Sequence, residues 1–170
     1  HILRSIDENP TNRPVFAQMI GRDPALLAAT AKLLQEHPIA GIDLNLGCPA
    51  PVVCSKEAGG GLLRNHDQIR RILEALSEAC DCPFTVKTRV GFESPGEFAA
   101  LVELFGQFPL AGLSIHGRTV VEKYATPIHY EQIRHAVEGL DCPVFANGNI
   151  VSVRTAELTQ HATGAAGLMV

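Results

Sequence analysis

The sequence predicts an α/β fold with a parallel sheet, and three observations predict it. Short runs rich in Val, Ile and Leu recur along the chain, mostly without strict alternation, as in strands buried on both faces. Between them lie amphipathic stretches long enough to cross back over a sheet. Polar residues then stand at or near the C-terminal ends of five successive apolar runs: Gln18, Asn45, Lys87 with Arg89, His116 and Asn147.

The elements follow in chain order. "VFAQMI", from Val15, is the first strand, and "DPALLAATAKLLQEH" is the first crossing helix. "IAGIDLNL", from Ile39, is the second strand, followed by the helix "NHDQIRRILEALSEA". "FTVKTRV", from Phe84, leads into "SPGEFAALVELFGQF", and "LAGLSIH", from Leu110, into "IHYEQIRHAVEG". "VFAN", from Val144, precedes "SVRTAELTQHA", and "AAGLMV", from Ala165, is the last strand. Asp, Asn or Ser near the helix starts supplies caps. The phrases "AGI", "AGL" and "AGL" at Ala40, Ala111 and Ala166 recur where strands begin, a faint internal repeat. No proline-rich or charged linker divides the chain, which reads as one domain.

An open sheet or a barrel produces this order of elements. In an eight-stranded barrel the polar strand ends form one ring around one mouth, where active sites of such barrels lie, whereas a doubly wound sheet divides them between two sides. The expectation is therefore a TIM (β/α)8 barrel. A full barrel takes about 250 residues, so residues 1–170 are expected to hold the second to seventh strands, with the first and eighth beyond the ends.

Composition narrows the function classes. Hydrophobic residues make up 46% and charged residues 19%, ordinary globular usage. The net charge of −4 gives no general attraction to nucleic acid or anionic lipid, and a separate module could still supply one. No apolar run reaches membrane-spanning length and no signal-peptide pattern is present, so a soluble protein is expected. Five cysteines, unlike a secreted disulfide framework in spacing, point to a reducing compartment. Cys80, Cys82 and Cys142 each precede a strand in "CDCP" and "LDCP" and are read as structural thiols at the floor of the core; zinc would need a fourth ligand that the local sequence does not offer. No dinucleotide fingerprint or P-loop is found, and the glycines of "GAAG" (Gly164, Gly167) read as a tight turn.

Lys87 and Arg89, two apart on a strand, point to one side. They require either an internal ion pair with Asp43 or a bound anion, such as a phosphate or an electron-rich ring. His116, followed by Gly117 and Arg118, is either a satisfied core histidine or a ligand group. Asn147 offers an amide that both donates and accepts, beside Gly148 with its bare backbone. Gly59 to Gly61, "GGG", either pack closely or form a mobile loop. Cys48 lies past a strand's C-terminal end, before Pro49. An ordinary thiol, with a pKa of about 8.5, is mostly protonated at neutral pH and suits a proton donor better than a nucleophile, which would need a base such as His116.

Together, "DLNLGCPAP", "GGGLL", "TVKTRVG", "SIHGRT", "VFANGNI" and "TGAAGLMV" resemble, in order and spacing, the tRNA-dihydrouridine synthases, with "FAQMIGRDP" similar to that family's second-strand segment. The resemblance runs from about Pro14 to Val170. It implies a flavoenzyme on a TIM barrel with a helical tRNA-binding domain after it, acting in the cytoplasm as a monomer when full length. It implies FMN held by Gln18, Lys87, His116, Asn147 and Gly148, with NADPH as reductant. It further implies Cys48 as the acid that protonates C5 of uracil while hydride reaches C6, and Asn45, Arg89 and Arg118 lining the uridine site. Tyr124 keeps the family pattern, while Tyr130 stands where many relatives have tryptophan. Two other readings remain at this point: a flavin barrel acting on a free pyrimidine or similar small molecule, and a non-catalytic RNA-binding or assembly protein.

Overall fold

The computed structural model describes residues 2–170. After a short helix α1 (Ile2–Asp7), the chain alternates strands and helices: β1 (Phe16–Met19), α2 (Pro24–Leu34), β2 (Gly41–Leu46), α3 (Pro51–Cys54), α4 (His66–Ala79), β3 (Phe84–Arg89), α5 (Phe98–Phe105), β4 (Gly112–His116), α6 (Tyr130–Gly139), β5 (Val144–Asn147), α7 (Val153–Thr163) and β6 (Gly167–Met169). All six expected strands and all five expected helices are present. Helices α1 and α3 carry too few apolar positions to show a period, and the sequence reading does not include them.

The strands pair in parallel in simple sequence order, β1 to β6. Each crossover therefore advances by one strand in the same direction. Crossovers of one hand put all the helices on one side, which curls the sheet around its other face as in a barrel wall. The central strands are apolar on the helix side: Ile42, Leu44, Leu46, Val86, Leu113, Ile115 and Ala146 are fully buried. Helix α4 meets them with Ile69, Ile72, Leu73 and Leu76, spaced three and four apart so that they share one face.

Local signals fix the helix starts. Asp23 accepts from the Leu26 N–H at 2.9 Å, Asn65 accepts from Gln68 N–H at 3.0 Å, and Ser152 forms a capping box with Thr155. Gly164, at φ 69°, closes α7 in the left-handed conformation, and Gly167 opens β6. Cys80, Cys82 and Cys142 pack half-buried against the core as free thiols. Among the described residues no group of three or more His, Cys, Asp or Glu could hold a metal, and no helix is long and apolar enough to cross a membrane.

Candidate active site

Register places the polar residues on one face. Gln18 pairs with Asp43, Asn45 with Lys87, Arg89 with His116, and His116 with Asn147. Residues paired in a parallel ladder project together, and positions two apart return to the same side. The concave face thus gathers at its C-terminal rim a cavity of about 590 Å³ lined by Asn45, Cys48, Lys87, Arg89, His116, Tyr124, Asn147 and Gly148, among others. Gln18 sits beside this lining, joined to it by the Asn45 Nδ2 bond to its Oε1 at 2.9 Å. Arg118 stands behind it, only 2% exposed, donating to the Thr126 carbonyl and to Asn149 Oδ1.

The Cys48 turn is held from both sides. Asn45 Oδ1 accepts from the backbone N–H groups of Gly47 and Cys48, both at 3.0 Å. The Cys48 carbonyl accepts from Gly60 N–H at 3.0 Å. The three glycines form a buried 3₁₀ turn, Gly59–Arg64, in which a Cβ on Gly60 would lie 2.8 Å from that carbonyl and one on Gly61 2.7 Å from the Cys54 carbonyl. Of the two expectations for "GGG", close packing holds.

Lys87 and Arg89 divide the work expected of them together. Lys87 Nζ donates to Asn147 Oδ1 at 3.1 Å, and Asn147 Nδ2 donates to the Met169 carbonyl at 2.8 Å. Asp43 does not pair with Lys87 directly, because its oxygens accept from Gln18 and Thr85, each at 2.7 Å. Burial, aided by the Arg89 charge and opposed by Asp43, lowers the Lys87 pKa. Arg89, 3% exposed, donates Nε–H to the Gly47 carbonyl at 2.8 Å and Nη1–H to the carbonyls of Thr119 and Lys123, both at 3.0 Å. It ties the cysteine turn to the loop after β4.

That loop carries Tyr124, 70% exposed, whose ring meets His116 edge-on at 5.8 Å and lies 5.5 Å from the Arg89 guanidinium carbon. Glu122 anchors it. Burial works to raise the Glu122 pKa, but the Thr119 N–H and His129 outweigh it and hold the carboxylate down at about 2. His116 is itself buried, and burial followed by the charges of Arg89, Lys87 and Arg118 pulls its pKa to about 4. The imidazole is neutral at neutral pH, and its Nδ1 is buried without a hydrogen-bond partner.

These features fit an anionic or electron-rich group in the cavity. Lys87 offers a partly desolvated cation, and Gly148, at φ 121°, packs too tightly for a side chain, since a Cβ there would lie 2.7 Å from Ile128 and 3.4 Å from His116 Nε2. Reasoning from sequence did not reach the bonds of Asp43, the Glu122–His129 anchor or the backbone bonds of Arg89. Only the one-strand offset between Asp43 and Gln18 could have shown the first.

The family profile described as dihydrouridine synthase (Dus) matches residues 2–170. Among curated proteins, the tRNA-dihydrouridine synthase B of Pseudomonas putida is 37% identical over 169 residues, covering 99% of this chain and 50% of its own length. The proteins of the same name from Pseudomonas aeruginosa (37% over 160 residues; 94% and 48% covered) and Vibrio vulnificus (38% over 157 residues; 90% and 48%) are similar. The chain spans about half the length of the curated relatives it matches. Solved structures share the fold at low identity. N-acetylneuraminate lyase from Mycoplasma synoviae superposes with a TM-score of 0.64 at 13% identity (90% of this chain, 53% of that one), and 2,3-dimethylmalate lyase with 0.64 at 16% (98% and 60%).

Proposed function

We propose that this chain, which belongs to the dihydrouridine synthase family, is the flavin-holding part of an enzyme that reduces the C5–C6 double bond of uridines in tRNA, with NADPH as the reductant. The observation that carries the reading is the meeting of the Cys48 turn, Lys87, neutral His116, Asn147 and Gly148 around one cavity. On this reading the whole protein adds the remaining strands of the barrel and a helical domain that grips tRNA. The intact protein acts as a monomer in the cytoplasm.

FMN, when bound, would supply the hydride for C6 of the uracil. Lys87, His116, Asn147 and Gly148 would hold it, with Gln18 at the neighbouring strand end. Lys87 would stabilise negative charge on the bound ring, and its bond to Asn147 keeps the ammonium turned inward. Cys48 holds the second reactant: its thiol delivers a proton to C5 from a turn that Asn45 and Gly60 fix in place. Asn45 and Arg89 lie in the cavity wall where the target base, flipped from its stack, must enter, and Arg118 stiffens the rim through Asn149.

Cys48→Ala in the full-length protein is expected to leave flavin reduction by NADPH intact and to slow dihydrouridine formation by about 100-fold or more. Stopped-flow absorbance reads the first step and mass analysis of tRNA the second. Equal tRNA turnover by parent and variant would remove Cys48 from the acid role. Free uridine reduced as efficiently as tRNA would transfer the reading to a small-molecule enzyme, and a colourless protein that still bound tRNA would point to a non-catalytic one.

A further inference from the structure

The reaction above makes no use of Asp43, a carboxylate only 9% exposed on the ligand-facing side of β2. Its contacts form an ordered series. Oδ1 accepts from Thr85 Oγ1 and Oδ2 from Gln18 Nε2, each at 2.7 Å. Gln18 Oε1 accepts from Asn45 Nδ2 at 2.9 Å, and Asn45 Oδ1 accepts from the N–H groups of Gly47 and Cys48 at 3.0 Å. Asp43 thus reaches the Cys48 turn through two amides.

The direction of these bonds follows from the two ends. Backbone N–H groups only donate, and an ionised carboxylate only accepts. Between them each amide has one satisfactory orientation, oxygen toward Cys48 and nitrogen toward Asp43. Reversing either sets donor against donor and acceptor against acceptor and forfeits the bonds on both sides of that amide. Thr85, one strand farther on, fills the remaining carboxylate oxygen and fixes its plane.

We propose that Asp43 is a positioning residue that acts on Cys48 through Gln18 and Asn45, as the terminal acceptor that orients both amides and so sets the turn presenting the thiol. Its consequence for turnover rests on the reading of Cys48 as the proton donor. The competing role is a counter-charge for Lys87: burial raises the Asp43 pKa, opposed by the bonds from Gln18 and Thr85 and, least of all, by the Lys87 charge. The two roles separate chemically. Asn at this position loses the charge but can still accept from Gln18, turning its own NH₂ to Thr85 Oγ1, whose hydrogen then goes to the Ile42 carbonyl 3.4 Å away. Leu loses both charge and acceptor.

The test is alkylation of the native full-length protein by iodoacetamide, read for each cysteine by peptide mass mapping, alongside kcat and KM for tRNA. Cys54, buried beneath the turn, gauges general loosening. Asp43→Leu is expected to speed Cys48 alkylation about fivefold or more, leave Cys54 unchanged, and lower kcat with little change in KM, while Asp43→Asn stays close to the parent. Should Asp43→Leu also expose Cys54, Gln18→Met cuts the series away from the buried carboxylate and is expected to show the same acceleration at Cys48. Cys48 alkylation unchanged in both Asp43→Leu and Gln18→Met overturns the proposal, as does an Asp43→Asn variant as impaired as Asp43→Leu. Alkylation needs neither flavin nor tRNA, so a parent that reduces no uridine would overturn the reading of the reaction and leave this test standing.

Discussion

At the scale of single residues, burial decides which groups are charged. His116 titrates at about 4 in the folded protein, below its ordinary value of 6.5, because burial and three nearby cations disfavour the imidazolium. Between these values the unfolded chain binds a proton that the native one does not. The His116 contribution therefore makes stability rise with pH from about 4 to 6.5 and flatten above. Urea unfolding at pH 5 and pH 7 checks this: His116→Gln is expected to lose less stability on acidification than the parent, and equal losses would refute the depressed value. Lys87, His116 and Asn147 were legible in the sequence as polar residues ending apolar runs. What each of them bonds to was not, because strand register, not spacing along the chain, pairs Lys87 with Asn147 across β4 and leaves Asp43 to Gln18.

At the scale of elements, Val-, Ile- and Leu-rich runs located the six strands, although β2 and β3 alternate, with Ile42, Leu44, Leu46 and Val86 toward the helices and Asp43, Asn45, Thr85 and Lys87 on the concave face. Loops were less legible. Whether "GGG" packs or moves depends on what approaches it, and the approach of the Cys48 and Cys54 carbonyls is a tertiary fact. Arg89 illustrates the same limit. Its place on β3 matched a ligand-facing cation, yet three of its bonds go to backbone carbonyls of the turn after β2 and the loop after β4. Arg89→Met is expected to cost roughly 3 kcal/mol in urea unfolding, since these carbonyls lose charged donors. Arg89→Lys should recover only part, because one ammonium cannot span the three acceptors that a planar guanidinium reaches. Stability within about 0.5 kcal/mol of the parent for Arg89→Met, the range of an ordinary surface change, would show that the loops hold without it.

At the scale of the whole molecule, the sheet has two strands, β1 and β6, each paired on one side only. Beside β1 lies an apolar groove of about 780 Å³ lined by Leu26, Leu27, Leu33, Val52 and Val53, among others, with Ile20 and Leu26 47% and 67% exposed. Unpaired strand edges next to exposed apolar surface favour association. These 170 residues expressed alone are expected to self-associate in sedimentation velocity, and a monodisperse monomer that unfolds cooperatively would count against a larger barrel as their native setting. If the strand ends surround one flavin, the intact protein retains it through gel filtration, where its visible absorption spectrum reads it. The parent is expected to carry a flavin band at near one equivalent per chain, which Lys87→Ala loses into the small-molecule fractions. A parent that elutes without a flavin band even after incubation with FMN, or a Lys87→Ala variant that retains the parent's full complement, would contradict that placement.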